Sequence, residues 1–140
     1  MTMGALPADW TLPALTPFNA AWFTSGALAI QRCTQCATLQ HPPEEICHTC
    51  GTMTFDTSTL APRGTVASYT VVHYAAHRAL AHAVPYTVVL VSLDEAPHLR
   101  VVGNLAGNDV HIGMAVVPYW DEHAADDGTT ILLPQWRAAG

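Results

Sequence analysis

Four cysteines are the feature that most constrains how this 140-residue chain can fold. They form two pairs of identical spacing, Cys33 with Cys36 and Cys47 with Cys50, and ten residues separate the pairs. A Cys-x-x-Cys turn presents two thiolates from one tight loop, and two such turns facing each other complete the tetrahedral shell that zinc prefers. The spacing therefore predicts a zinc ribbon in which all four cysteines bind one Zn²⁺ per chain.

Disulfide formation is the main alternative for these cysteines. Two disulfides would require an oxidising compartment, and the N-terminal sequence lacks the basic residues and compact apolar stretch of a secretory signal. We therefore expect a cytoplasmic protein with reduced thiols. Four thiolates leave no open coordination position, so the zinc is expected to be structural. His41 and His48 lie beside the cysteines as possible substitute ligands, and we interpret them as exposed loop histidines.

The charge balance disfavours one large class of partners. The chain has five arginines, no lysine and eleven acidic residues, which gives a net charge of −6. Non-specific nucleic-acid binding depends on clustered basic side chains, whereas these arginines are scattered. No apolar run approaches the length of a membrane span. We expect neither a nucleic-acid nor a membrane partner.

The N-terminal region is predicted to be an arm followed by a short helix. Residues 1–15 contain three glycine or proline residues and read as extended chain. Thr16 is a predicted helix N-cap, Pro17 the first helical residue and Gly26 the stop signal.

This arm and helix are unusually apolar, with one charged residue in the first 31. One interpretation is that the segment packs on its own β-barrel and completes the core. The other is that it docks on a different subunit, because large apolar patches mark interfaces. The candidate interface residues are Trp10, Phe18, Trp22 and Phe23.

The rest of the chain is predicted to be mainly β. Five apolar or β-branched runs follow the ribbon, with turn signals between them: 65–74, Tyr86–Leu93, 98–105, an alternating run at 110–116 with Gly113 as a bulge, and 129–133. Such a pattern fits a small closed barrel such as the five-stranded OB-fold. The predicted organisation is an arm and helix at 1–26, a zinc ribbon at 27–60 and a barrel at 61–140.

No catalytic residue is predicted. The acidic residues occur mostly as adjacent pairs that we assign to turns, and no nucleophile elbow, phosphate loop or histidine metal motif is found. His73, His77 and His82 recur near one turn and leave a second metal site as an alternative. Loop histidines are the interpretation that we favour.

Several motifs in fixed order resemble a known family. They are the run Leu28–Cys33, the two cysteine pairs with Pro42 and Pro43 between them, and the segments 64–73, 85–95, 103–105 and 112–114. Together they are similar to the acyl-CoA-associated family with a rubredoxin-like zinc ribbon and a C-terminal OB-fold, formerly a domain of unknown function.

The resemblance implies an auxiliary subunit and not an enzyme. Members of that family associate with thiolase-like (lipid-transfer-protein-type) aldolases of steroid side-chain degradation, with thiolases, or with MaoC-like enoyl-CoA hydratases, and the partner carries the catalytic residues. An acyl-CoA ester at the shared interface is also implied, with Arg63 and Arg100 as candidates for its phosphates. Two alternatives stay open: a freestanding acyl-CoA-binding protein, and a nucleic-acid-binding OB module.

Overall fold

The computed structural model describes residues 6–7 and 10–140. This part of the chain is mainly β and confirms the predicted fold class: a short helix, a ribbon that carries the four cysteines, and a closed five-stranded barrel. In chain order the elements are α1 (Ala20–Thr24), β1 (Leu28–Cys33), β2 (Leu39–Gln40), β3 (Phe55–Leu60), β4 (Gly64–Val72), the 3₁₀ turn η1 (Arg78–Leu80), β5 (Tyr86–Leu93), β6 (Ala96–Leu105), β7 (Ala115–Ala124) and β8 (Thr130–Ala138).

Helix α1 begins one turn later than predicted. The Thr16 hydroxyl accepts from the Asn19 N–H at 3.2 Å, and the Asn19 side-chain oxygen accepts from the Thr16 N–H at 2.7 Å. These reciprocal bonds are those of a capping box, but they close a separate turn, and the regular helix starts only at Ala20. Gly26 has a φ of +66°, the left-handed conformation that ends a helix.

The ribbon is a three-stranded antiparallel sheet with the order β2-β1-β3. Strand β1 is central, pairing with β3 along its whole length from Leu28 opposite Leu60 to Cys33 opposite Phe55. It pairs with β2 through Gln31 opposite Gln40 and Arg32 opposite Leu39. The pairing places Cys33 at the end of the sheet from which both cysteine turns extend.

The barrel closes in the order β4-β5-β6-β8-β7. Strand β5 alternates strictly, with Thr87, Val89, Val91 and Leu93 buried and the residues between them half-exposed. A register shift between Val66 and Ser68 bends β4, as a bulge does where a sheet must curve into a barrel. The β6 and β8 strands close the barrel through one parallel pair.

The predicted fourth barrel strand at 110–116 is wrong. The structure has a turn at this point, in which the Met114 N–H donates to the His111 carbonyl at 3.2 Å and Gly113 has a φ of +90°. The turn bonds to the β4 bulge, since the Gly113 N–H donates to the Val66 carbonyl and the Val66 N–H donates to the Met114 carbonyl, both at 2.9 Å. Val110, Ile112 and Met114 therefore belong to a loop, in which Val110 and Met114 pack against the core and Ile112 is exposed. Val116, the last residue of the predicted run, is buried in β7.

The fourth barrel strand is instead β7, whose sequence resembles a turn. Pro118 lies inside it, and proline usually argues against a central strand. Asp121 and Glu122, assigned to a turn from the sequence, also lie within β7, and Asp121 is only 5% exposed. The other four predicted runs overlap β4, β5, β6 and β8, although β8 continues to Ala138.

Ribbon and barrel share one hydrophobic core. Trp22 of α1, Leu28 and Ile30 of β1 and Leu60 of β3 belong to the same buried cluster as the inward-facing barrel residues. Gly64 marks the junction between the two sheets, where a Cβ would meet the Val91 side chain and would lie 2.9 Å from the Ser92 carbonyl oxygen. Within the described residues, no helix is long and apolar enough to cross a membrane.

Candidate metal centre

The four cysteine sulfurs converge at one end of the ribbon, all within 4.8 Å of one another. The shortest separations join the two pairs crosswise: Cys33 Sγ lies 3.5 Å from Cys50 Sγ, and Cys36 Sγ lies 3.6 Å from Cys47 Sγ. A tetrahedral tetrathiolate zinc with bonds of about 2.3 Å has sulfur–sulfur edges of about 3.8 Å. A disulfide would need about 2.05 Å. The arrangement fits a four-coordinate metal ion.

Two backbone turns of the same shape hold the sulfurs. In the first, the Cys33 N–H donates to the Thr38 carbonyl and the Ala37 N–H donates to the Cys33 carbonyl, both at 2.9 Å. The second turn repeats both bonds from Cys47, with Gly51 in the place of Ala37. Ala37 and Gly51 both have left-handed backbones, with φ of 62° and 79°. The metal site is therefore built from two near-equivalent halves.

Two threonine hydroxyls lie within hydrogen-bond distance of three of the four sulfurs. The Thr52 Oγ1 atom lies 3.2 Å from Cys33 Sγ and 3.0 Å from Cys50 Sγ, and the Thr38 Oγ1 atom lies 3.0 Å from Cys36 Sγ. The Thr52 hydroxyl, together with the Cys36 backbone N–H, lowers the pKa of Cys33 to about 6. A hydrogen bond from the Cys50 N–H lowers the pKa of Cys47. Both thiols are thus biased toward the thiolate form, which is the form that binds metal. Despite its bonds to Thr38, Cys36 has a raised pKa, because burial and the neighbouring Cys47 and Cys50 thiols outweigh those bonds.

A pair of buried glutamines fixes the loop between the cysteine turns. Gln40 Nε2 donates to Gln31 Oε1 at 2.7 Å, and Gln31 in turn donates to the Glu44 carbonyl and accepts from the Glu44 N–H. Gln40 also donates to the Ile46 carbonyl and accepts from the His48 N–H. These contacts set the position of the backbone on both sides of Cys47. No sequence signal distinguished these two glutamines from surface residues.

The two histidines beside the cysteines have different environments. His48 is exposed, in agreement with its interpretation as a loop residue. His41 differs from that interpretation, since burial lowers its pKa to about 4. Its ring lies 4.4 Å from the Trp22 ring, centroid to centroid, so it joins the ribbon to α1. Among the described residues, the four cysteines are the one group of three or more potential ligands close enough to share a metal.

The apolar arm and helix contact their own chain. Trp22 is 5% exposed and lies in the shared core, and Phe23 packs against that core. Trp10 makes an edge-on contact with His77, with ring centroids 4.9 Å apart, and Phe18 is half-buried. Trp10, Phe18 and Phe23 are each half-buried and keep part of their surface accessible, and the interface assignment of all four residues stays a prediction.

The two candidate arginines lie at one end of the barrel. Arg63 is in the connection between β3 and β4, and its carbonyl accepts from the Asp94 N–H at the end of β5. Arg100 lies on β6 opposite Ser92, also near the end of β5. Both are exposed, and their role in binding CoA phosphates stays a prediction.

Comparison with known proteins places these features in a family. Residues 24–55 match the model of the ChsH2 rubredoxin-like zinc ribbon domain, and residues 57–121 match that of the ChsH2 C-terminal OB-fold domain. A chain in the solved structure of an Ltp2-ChsH2(DUF35) aldolase has a TM-score of 0.73 and is 42% identical, over 92% of this chain and 100% of that chain. This chain belongs to the ChsH2 family.

Two curated relatives extend the ChsH2 comparison. A probable enoyl-CoA hydratase alpha subunit from Thermomonospora curvata is 43% identical over 133 residues, which is 91% of this chain and 39% of that protein. A DUF35 domain-containing scaffold protein from Methanocaldococcus jannaschii is 35% identical over 89 residues, 61% of each. The chain thus spans about two fifths and three fifths of these relatives.

Proposed function

We propose that this ChsH2-family chain is a non-catalytic auxiliary subunit of an acyl-CoA-processing complex, and that its partner is a thiolase-like aldolase or thiolase. The observation that carries the proposal is the likeness to the Ltp2-ChsH2(DUF35) aldolase chain, which extends over the whole of that chain. The likeness to a protein named as a scaffold agrees with a supporting role. A place in the breakdown of a steroid side chain or another lipid is part of the same proposal.

One structural Zn²⁺ bound by the four cysteines belongs to this proposal. The sulfur separations of 3.5 and 3.6 Å match the edges of a tetrathiolate tetrahedron, and the lowered pKa of Cys33 favours the thiolate. Four protein ligands would leave no position for a substrate, so the ion would hold the ribbon together and would perform no chemistry. Reduced metal-binding thiols also support the proposed cytoplasmic location.

A MaoC-like enoyl-CoA hydratase is the second candidate partner. The observation that favours it is the 43% identity to a probable enoyl-CoA hydratase alpha subunit, of which this chain corresponds to 39%. In that relative a segment like this chain is part of a longer polypeptide. The identity of the recovered partner distinguishes the two candidates.

The two remaining alternatives have less support. A nucleic-acid-binding OB module would need a basic groove with stacking aromatics, and the net charge of −6 with no lysine opposes it. A freestanding acyl-CoA-binding protein would bind acyl-CoA alone, with Arg63 and Arg100 as the proposed contacts for its phosphates.

The test is affinity purification of the tagged, zinc-loaded chain from its native cells, with mass spectrometry of the recovered proteins. We expect near-stoichiometric recovery of a thiolase-like enzyme. A hydratase in its place would select the second candidate. Recovery of no acyl-CoA enzyme, together with acyl-CoA binding by the isolated chain, would contradict the subunit proposal and favour the freestanding protein.

The same purification tests the proposed interface. Deletion of residues 1–26 would remove Trp22 from the shared core, so substitution is the sharper probe. The double substitution Trp10→Ser with Phe18→Ser is expected to reduce recovery of the partner at least tenfold. Ile112→Ser is the matched control, because Ile112 is 66% exposed and lies outside the arm. Equal recovery by the double variant and the control would exclude the arm as the interface.

A further inference from the structure

A cleft of about 780 Å³ opens at the end of the barrel where β5 begins and β6 ends. One wall comes from the chain around η1 and from two residues of the arm, Leu6 and Pro7. The other walls come from the barrel strands and the segment after β6. The lining residues include the apolar Leu80, Pro85 and Leu105 and the polar Asn104, Tyr119 and Gln135. Its volume lies within the range of small-molecule pockets.

One side of this cleft is polar, and hydrogen bonds fix the orientation of its Gln135 side chain. Gln135 is 8% exposed, and its Oε1 atom accepts from the Asn104 N–H at 2.7 Å. Its Nε2 atom donates to Asp121 Oδ2 at 3.3 Å, which fixes the orientation of the amide. Tyr119 lies directly opposite Gln135 across the β7–β8 pair. Three adjacent strands thus present an asparagine, a tyrosine and a glutamine to one cavity.

The Tyr119 hydroxyl remains a proton donor at neutral pH. Burial raises its pKa above the ordinary value, and the negative charge of Asp121 raises it further. The Asn104 side chain bonds to the Tyr119 hydroxyl, and its Nδ2 atom donates to the Leu105 carbonyl at 3.3 Å. The Asn104 Oδ1 atom and the Tyr119 O–H group are left as acceptor and donor for a ligand. The polar side of the cleft can therefore bond to a carbonyl, a hydroxyl or an amide.

The charge of the cleft restricts what can occupy it. Among the described residues that line it there is no lysine, arginine, aspartate or glutamate, and the one histidine is His82. Transfer of an ion from water into such surroundings without a charged partner is unfavourable. Asp121 lies behind Gln135, and the chain has a net charge of −6, so an anion is opposed further.

We propose that this cleft binds an uncharged, mainly apolar organic molecule, or the uncharged end of a larger one, which carries a carbonyl, hydroxyl or amide group. The polar group contacts Asn104 and Tyr119, and the apolar body lies against Leu80, Pro85 and Leu105. The cleft is separate from the candidate phosphate contacts, because Arg63 and Arg100 lie near the opposite end of β5. The inference rests on this chain alone and does not depend on the partner.

The test is a fluorescence titration of the isolated, zinc-loaded full chain with Prodan, a neutral naphthyl ketone whose emission moves to shorter wavelength in apolar surroundings. We expect saturable binding of one Prodan per chain. The anionic naphthalene dye ANS is the charge control and is expected to bind at least tenfold more weakly. Absence of saturable Prodan binding, or equal affinity for the two dyes, would overturn the proposal.

Two variants locate the bound probe. Tyr119→Phe removes one hydroxyl and is expected to weaken Prodan binding about fivefold, the effect of one neutral hydrogen bond. Its matched control is Tyr69→Phe, since Tyr69 is 41% exposed and does not line this cleft. Ala106→Trp is expected to obstruct the cleft and abolish binding while the melting temperature shows that the chain is folded. Binding to both cleft variants with unchanged affinity would place the probe elsewhere and overturn the proposal.

Discussion

The ribbon and the barrel belong to one core but are stabilised by different means. The barrel buries a continuous apolar interior, to which Val89, Val91 and Leu93 contribute with no exposed surface. The ribbon contributes Leu28, Ile30 and Leu60 at its base to that interior, and Leu39 packs against it. Beyond Ile30 its buried side chains are the glutamine pair and two of the cysteines, and the cysteine turns themselves are largely exposed.

This difference accounts for the structural role that we propose for the metal. A segment that buries few apolar side chains cannot offset the entropy of ordering its backbone, and small metal-binding units obtain that free energy from the ion. We therefore expect the cysteine turns to depend on metal and the barrel to depend on side-chain packing. The shared core couples the two, so damage to either lowers the stability of the whole chain.

The largest expected effect is loss of the metal. Cys36→Ser removes one thiolate, and we expect loss of the bound zinc together with a fall of several kcal/mol in the free energy of unfolding. The reason is that structural zinc contributes about 10–16 kcal/mol of binding free energy in finger peptides. Zinc content and melting temperature are the measurements.

His48→Ala is the matched control for that experiment. His48 is exposed between the last two cysteines, and we do not assign it as a ligand. We expect full zinc content and a melting temperature close to that of the native chain. Zinc loss in the His48 variant, or an unchanged melting temperature in the Cys36 variant, would contradict the proposed ligand set.

The next effect concerns the barrel. Leu93 is fully buried, and Leu93→Ala should lower the free energy of unfolding by about 2–5 kcal/mol through lost burial and a residual cavity. We expect one bound zinc per chain in the folded variant, because the four cysteines belong to the ribbon and Leu93 belongs to the barrel. Denaturant titration measures the stability, and Leu15→Ala at a 38% exposed position is the control. Zinc loss in the folded Leu93 variant would show that the two regions are not separable in this way.

A smaller expected effect is a dependence of stability on pH, caused by His41 at the contact between the ribbon and α1. Burial lowers the pKa of His41 to about 4 from an ordinary 6.5, so the folded state disfavours the proton that the unfolded chain accepts. The free energy of unfolding should therefore fall as pH decreases from 6.5 to 4, by up to about 3 kcal/mol from this group. Below pH 4 both states carry the proton, and this contribution falls no further.

His41→Phe tests that expectation and keeps an aromatic ring against Trp22. We expect its stability to fall less steeply than that of the native chain between pH 6.5 and 4. The comparison uses zinc-loaded samples with metal content measured at each pH, so that loss of zinc is recognised. The same slope in both proteins would contradict the assignment of a buried neutral histidine.

The smallest effect compares the two halves of the metal site. Ala37 and Gly51 occupy equivalent left-handed positions, but only alanine has a Cβ that this conformation disfavours. Ala37→Gly should raise the free energy of unfolding of the zinc-bound chain by up to about 1 kcal/mol, and Gly51→Ala should lower it by about the same amount. A Cβ at Gly51 would have no neighbour within 4 Å, so only backbone strain is tested. Thermal unfolding of both variants is the measurement, and shifts of the same sign would refute the equivalence.

Sequence patterns predicted the parts of this molecule that depend on local spacing. The cysteine turns follow from their spacing, and β5 was predicted with its observed limits because a run of mainly apolar and β-branched residues lies between Pro85 and Asp94. The fourth barrel strand was wrong because Pro118 and the acids at 121 and 122 resemble a turn. Their burial depends on strands that lie elsewhere in the sequence.

The buried polar contacts could not be predicted for the same reason. The bond between Gln31 and Gln40 exists because β1 and β2 pair in one register. The alignment of Asn104 with Gln135 depends on closure of the barrel between β6 and β8. Each requires a tertiary contact that no single segment of sequence contains.

Hydrogen exchange is the most direct measurement of the central claim that a metal stabilises the cysteine turns while packing stabilises the barrel. The amide exchange rates of the zinc-loaded chain would be compared with those of the chain after chelation, residue by residue. We predict that chelation removes protection from residues 33–54 and leaves most of the protection of β5 and β6 in place. Unchanged protection of residues 33–54 after verified removal of the metal would contradict the account.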